Sequence, residues 1–159
     1  MAGNTKALRI RIKSVNSTLQ LTKAMELVAS SKIRRANEAM QKAREYTASL
    51  EKSISLLTSE NECLKSPYMR KTENPRTKII VIAGDRGLAG GYNANVFRLC
   101  NSFPDAEFIP IGKRACERFD KEINSSEHFS FSDAAALADE LCKDFSEEKF
   151  DRLGVIFTR

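Results

Sequence analysis

Residues Thr5 to Thr58 contain neither Gly nor Pro, and their apolar side chains return at steps of three and four for about fifty residues. One row runs through Leu8, Ile12, Val15 and Leu19, with a parallel row at Leu21, Met25 and Val28. It resumes at Ile33, Ala36, Met40, Ala43, Leu50, Ile54 and Leu57, with Thr47 filling one slot. This spacing keeps a narrow stripe on one side of a helix ~80 Å long, several times the usual length in a globular domain. A domain of this chain's size has a radius of gyration of roughly 15 Å. Such a helix therefore protrudes, and its stripe has to be buried against another element. Asn4 or Thr5 is expected to cap its N-terminus, and Glu38 to pair with Lys42 on its exposed face. The run Ser30 to Arg35 interrupts the stripe with small and basic residues, which predicts a different partner there.

The charge belongs to this helix. Residues 1–58 hold 11 Lys/Arg against 4 Asp/Glu, a net of +7. The remaining 15 basic and 17 acidic residues give −2, so the whole chain carries +5. A basic helix can meet nucleic acid, an anionic membrane or an acidic protein surface. Nucleic acid is disfavoured because the basic residues are spread along the helix and only Tyr46 could stack on a base. Membrane binding is disfavoured because the stripe is Ala-rich and carries no Trp or Phe. Small residues in a stripe suit close helix–helix packing.

From Ser59 to Thr77 the pattern gives way to Ser, Glu, Asn and Lys, with breaks at Ser66-Pro67 and Asn74-Pro75. The period then changes. Lys78 to Ala83 is a β-branched run of the kind buried on both faces of a parallel sheet. Helices are expected at Tyr92 to Cys100, Lys113 to Asp120 and Ala134 to about Phe145, the last capped by Ser132 or Asp133. Further strands are expected at Glu107 to Ile111, His128 to Phe131 (weakly) and Leu153 to Phe157. Strand–helix alternation with short loops implies right-handed βαβ units. The predicted class is α/β: a long N-terminal coiled-coil helix at 1–58, a linker at 59–77, and an incomplete Rossmann-like, mostly parallel sheet with flanking helices at 78–159.

The loop Gly84 to Gly91 is where a nucleotide site would be sought. Its order, G-x-x-G-x-x-G-G, lacks the G-x-G-x-x-G of a dinucleotide fingerprint, and Tyr92 stands where a P-loop needs Lys and a hydroxyl. Gly84, Gly87, Gly90 and Gly91 are read as structural, supplying positive φ and close packing. Asp85 and Arg86 lack a nucleophile, a second carboxylate or a metal set beside them, and read as a local ion pair or a docking contact. No catalytic, metal or cofactor residue emerges.

Other features carry little. His128, the sole histidine, has no nearby Cys or Asp. Lys113-Arg114 is a solvated helix start. Asn16-Ser-Thr and Asn124-Ser-Ser match the glycosylation triplet by chance. The four cysteines show no metal-ligand spacing and read as reduced thiols. No run approaches the ~20 apolar residues of a membrane span. The N-terminus lacks a signal-peptide core, and its basic residues continue without a break, so it reads as mature sequence.

Two stretches carry a family resemblance. Thr22-Lys-Ala-Met-Glu-Leu-Val-Ala-Ser-Ser-Lys-Ile-Arg-Arg-Ala36 resembles the N-terminal helix of the gamma subunit of F-type ATP synthase. Asp85-Arg-Gly-Leu-Ala-Gly-Gly-Tyr-Asn93 resembles that family's loop after its first strand, with Ala89 where many members have Cys. The opening Met1-Ala-Gly fits bacterial members. The resemblance covers the whole chain. It implies that family members continue for over a hundred residues, completing the α/β domain and ending in a second long helix wound around the first.

What the resemblance implies is a rotor. Its shaft stands inside a hexamer of alpha and beta subunits, and its globular part sits with the epsilon subunit on a membrane ring of c subunits. Flow of protons, in some species sodium, turns it. It is a peripheral subunit at the cytoplasmic face of the bacterial cell membrane, with no cofactor, no nucleic acid and no direct insertion into the bilayer. By resemblance Lys23, Met25 and Glu26 face catalytic-subunit loops, with Arg9, Arg11, Lys32, Arg34 and Arg35 as neighbouring contacts. The competing readings are a nucleotide-binding α/β enzyme with a helical arm, which calorimetry with ATP and NAD separates, and a nucleic-acid-binding arm, which salt-dependent DNA binding separates.

Overall fold

A computed structural model describes the fold at residues 2–87 and 89–158, with the side chains of residues 2–4 outside the description. The chain divides into two compact units, Met1–Glu60 and Asn61–Arg159.

The first unit is a single helix, α1 (Ala2–Thr58), 57 residues long and so ~85 Å in length. It already runs at Ala2. Asn4 and Thr5 lie inside it and do not cap it, and the position before it, Met1, lies outside the described residues. Glu38 pairs back to Arg34 at 3.7 Å instead of forward to Lys42. The hydroxyls of Thr18, Thr22 and Thr47 donate to the carbonyls of Ser14, Thr18 and Ala43, one turn earlier. Thr22 and Thr47 thus spend their polar groups on their own helix and interrupt the apolar stripe only mildly. With Thr22, Glu26 and Ala29 included, the alternation of three and four runs unbroken from Leu8 to Leu57, and Ile33 carries it through the run Ser30 to Arg35, which does not interrupt the stripe as expected. That is a 3.5-residue repeat, the signature of a left-handed supercoil. The stripe is uncovered: Leu50 is 44% exposed and Ile33 61%.

The second unit begins with two turns of 3-10 helix, Cys63–Lys65 and Pro67–Met69. The segment before the first strand is fastened to the α/β body. Tyr68 stacks on Phe145 at 5.6 Å between ring centroids, and the Arg70 guanidinium lies 5.0 Å over the same ring. Arg70 also pairs with Glu148 at 2.9 Å and Asp151 at 3.0 Å.

The body follows as β1 (Thr77–Ile82), α2 (Tyr92–Cys100), β2 (Glu107–Ile111), α3 (Lys113–Arg118), α4 (Phe131–Ser146) and β3 (Arg152–Ile156). The three strands are parallel in the order β2-β1-β3, with Ile80 opposite Ile109 on one side and Val155 on the other. Because the chain steps from β1 to one neighbour and then returns past β1 to the other, its crossovers cover opposite faces. Side chains alternate accordingly. Ile79, Val81, Ala83 and Ile156 form the core with Val96 and Cys100 of α2 and Ala115 of α3. Ile80, Ile82 and Val155 face α4 instead, with Leu141 and Phe145. This second face is only partly covered. An open apolar cavity of about 480 Å³ lies along it, and Leu153 and Val155 on the edge strand are 45% and 50% exposed.

Two local expectations are corrected. His128 to Phe131 forms no strand; it is a turn running into α4. The cap of α4 is Ser130, not Ser132 or Asp133, and the helix starts at Phe131 instead of Ala134. Ser130 accepts from the Asp133 amide and the Asp133 carboxylate accepts from the Ser130 amide, a reciprocal capping box. That pair satisfies two otherwise orphaned donors and fixes the helix start three residues early. α3 stops at Arg118 because the chain turns at Phe119 and Asp120, the latter with φ of 51°.

Candidate functional site

On α1 the candidate contact residues are all exposed, but they do not form one cluster. At ~100° per residue, Arg9, Lys23 and Arg34 share one side of the helix, Arg11, Met25 and Lys32 another, and Arg35 stands apart. Glu26 lies in the apolar stripe itself, a carboxylate in a seam of aliphatic side chains. The surface is therefore a basic cylinder with one apolar seam, and it offers different chemistry on each side.

In the second unit the glycine loop follows β1 at the carboxyl end of the sheet. Asn93, on the first turn of α2, bridges it. Its side-chain oxygen accepts from the Gly84 amide at 2.9 Å, and its amide nitrogen donates to the Arg86 carbonyl at 3.3 Å. Gly90 alone of the four loop glycines needs a left-handed backbone, with φ of 58°. A Cβ at Gly84 or Gly91 would meet only ordinary contacts at 3.5 Å, so close packing does not demand glycine there.

Asp85 and Arg86 do not form the local ion pair expected of them. The Asp85 carboxylate turns inward and takes hydrogen bonds from the Lys113 amide (3.0 Å), the Ser126 amide (2.9 Å), the Ser126 hydroxyl (3.2 Å), the Glu127 amide (3.2 Å) and the Ser125 hydroxyl. Burial alone would raise its pKa. The bonds from Ser125, Lys113, Ser126 and Glu127 outweigh that and hold it well below the usual carboxylate range. Asp85 is thereby consumed in the fold, while Arg86 is exposed.

Sequence reasoning missed the partners of this network. Asn124 accepts from the Gly112 amide at 2.7 Å and donates to the Pro110 carbonyl at 3.0 Å. The Asn124-Ser-Ser triplet is thus the complement of the β1 and β2 ends. Gly112 was missed too. Its φ is 100°, and a Cβ there would lie 2.0 Å from the Ala83 carbonyl oxygen. A glycine directly after a strand and before a helix was the available signal. Lys113 and Arg114 start α3 as expected, with Arg114 paired to Glu117 at 2.9 Å. His128 lies in a turn. All four cysteines are free thiols, with Cys100 and Cys116 buried. Among the described residues there is no cluster of metal-ligating side chains, and no helix is long and apolar enough to cross a membrane.

Fold and surface define a two-part protein: an extended basic helix with an uncovered apolar seam, and a small parallel α/β body whose glycine loop is tied down by its own side chains. Residues 4–159 match the model of a family described as ATP synthase, and the chain belongs to the ATP synthase gamma chain family. It is 37% identical over 95% of its length to the ATP synthase gamma chain of Alkaliphilus metalliredigens, covering 56% of that protein. It is 32% identical over its full length to the sodium ion specific ATP synthase gamma chain of Acetobacterium woodii, covering 57%. With the gamma chain of Ruminococcus albus it shares 34% identity over 98% of its length, covering 59%. The chain thus spans little more than half the length of these curated relatives.

Proposed function

We propose that this chain works as the shaft-bearing part of the central stalk of F1. In this reading it is a non-catalytic subunit that couples ion flow through a membrane ring to conformational changes at the catalytic sites of an alpha/beta hexamer. The observation that carries the reading is the family match across residues 4–159, on a chain whose first unit is one exposed helix of 57 residues. A shaft has to resist bending, and a helix without Pro or an internal Gly after Gly3 has no compliant point. It also has to be gripped and released in turn. Exposed Lys and Arg against acidic loops suit that, because screened surface pairs are worth at most ~1 kcal/mol each. Lys23, Met25 and Glu26 are the proposed contacts with catalytic-subunit loops, and Arg9, Arg11, Lys32, Arg34 and Arg35 their neighbours. The α/β body is proposed to meet the epsilon subunit and the c ring, holding the protein peripherally at the cytoplasmic face of the membrane. The reading is the same for a proton-driven and a sodium-driven machine.

The test is assembly. Co-expressed with cognate alpha, beta and epsilon subunits, the chain should co-purify in a complex with ATPase activity. Reversing the charge of Lys23, Arg34 and Arg35 together should lower turnover in that complex. A chain that leaves the hexamer behind, in a preparation where the hexamer itself forms, overturns the proposal.

A further inference from the structure

We infer that the cluster of hydrogen-bond donors at the carboxyl end of this sheet is an anion site that the protein fills with its own carboxylate, Asp85, and so closes to nucleotide and other phosphate ligands. In open α/β sheets, ligand anions are held outside the carboxyl ends of the strands, where backbone amides converge. That convergence is present here. The amides of Lys113, Ser126 and Glu127 and the hydroxyls of Ser125 and Ser126 all donate to one carboxylate. These donors are neutral groups contributed by two segments 28 and 40–42 residues further along the chain. Five donors, three on Oδ1 and two on Oδ2, surround one carboxylate, and charge-assisted hydrogen bonds of this kind are about twice as strong as neutral ones.

The donors have few alternatives. Ser126 and Glu127 lie in a turn outside any helix or strand, so their amides are not used in a helix or sheet ladder. Asp85 therefore acts as a positioning residue. It ties the turn 125–127 to the loop after β1, and Asn93 ties the same loop to α2. The inference stands independently of the rotor reading, because it concerns how the α/β body is closed and not what the body touches.

Chemical rescue tests it in the full chain. Asp85→Ala should lower the thermal midpoint, and sodium formate or inorganic phosphate should restore part of the loss in a saturable way by binding the native state. Sodium chloride at equal ionic strength should not, and the wild-type midpoint should respond alike to all three salts. A variant as stable as wild type, or formate acting equally on both proteins, overturns the inference. If Asp85→Ala does not fold, amide hydrogen exchange on the wild-type chain decides. The Ser126 and Glu127 amides should exchange at least ~10-fold more slowly than an unbonded loop amide. Exchange at the rate of an open loop overturns it.

Discussion

Two residues off the sheet ends show how much of the α/β body rests on single positions. Gly112 combines a left-handed backbone with a backbone oxygen 2.0 Å from where a Cβ would lie. Neither demand can be met by a rotamer change, since the obstacle is the Ala83 carbonyl itself. Gly112→Ala should therefore lose about 3 kcal/mol or more of stability, while Gly84→Ala should lose less than ~1 kcal/mol; urea denaturation of both variants separates them. Asp151 is the second position. The Arg76 side chain and amide, helped by the charge of Arg70, outweigh its burial and hold its carboxyl at about 2, below the 3.8 of a free group. A carboxyl with a lower pKa when folded adds stability above the unfolded value, and that stability fades as pH falls from 3.8 towards 2. Asp85 acts in the same direction, with its loss at still lower pH. Arg76→Gln should lower stability at neutral pH and flatten its decline across this acid window, read as denaturation midpoints at a series of pH values. An unchanged acid slope would show that Arg76 does not hold Asp151. Gly112 had a signal in its place between a strand and a helix, but the pairings of Asp85 and Asp151 had none in the sequence. The partners lie 28 to 81 residues apart, and loops carry no period from which such distant pairs can be inferred.

Elements were more legible than residues, for a physical reason. Apolar periodicity reports which face of an element is buried, and it needs no knowledge of what lies opposite. α2 and β2 fall where the sequence puts them, and α1 differs only at its start. The errors sit where hydrogen bonding by short polar side chains overrides the pattern. Ser130 and Asp133 are spaced as a capping box, a signal available in the sequence, yet the alternating His128-Phe-Ser-Phe131 suggested a strand. Capping won because it satisfies two backbone donors at the start of a 16-residue helix. The glycine loop repeats the lesson. Its failed nucleotide motifs were legible, but the reason it holds its shape was not, because Asn93 and the 124–127 turn supply it from outside the loop.

At the scale of the whole molecule, the two units differ in what stabilises them. The α/β body has a shared core of strands and helices, and its central strand is paired on both sides. α1 has its own backbone hydrogen bonds and short-range side-chain bonds, with an apolar seam left exposed along its length. An isolated helix is stabilised only weakly by propensity, since most helical stability in proteins comes from packing an apolar face. The opening free energy of α1 should therefore be far below that of β1. Its like charges also oppose self-pairing, because two copies would bring two +7 segments together. In dilute, low-salt solution, amides of Ile12 to Leu57 should exchange with solvent orders of magnitude faster than those of Ile79 to Val81. Raising salt or protein concentration should slow α1 by allowing seam-to-seam pairing, and binding to an alpha/beta hexamer should slow it more. Uniform protection of α1 and β1 in the dilute monomer would mean that the long helix is stable on its own, and that its seam needs no partner.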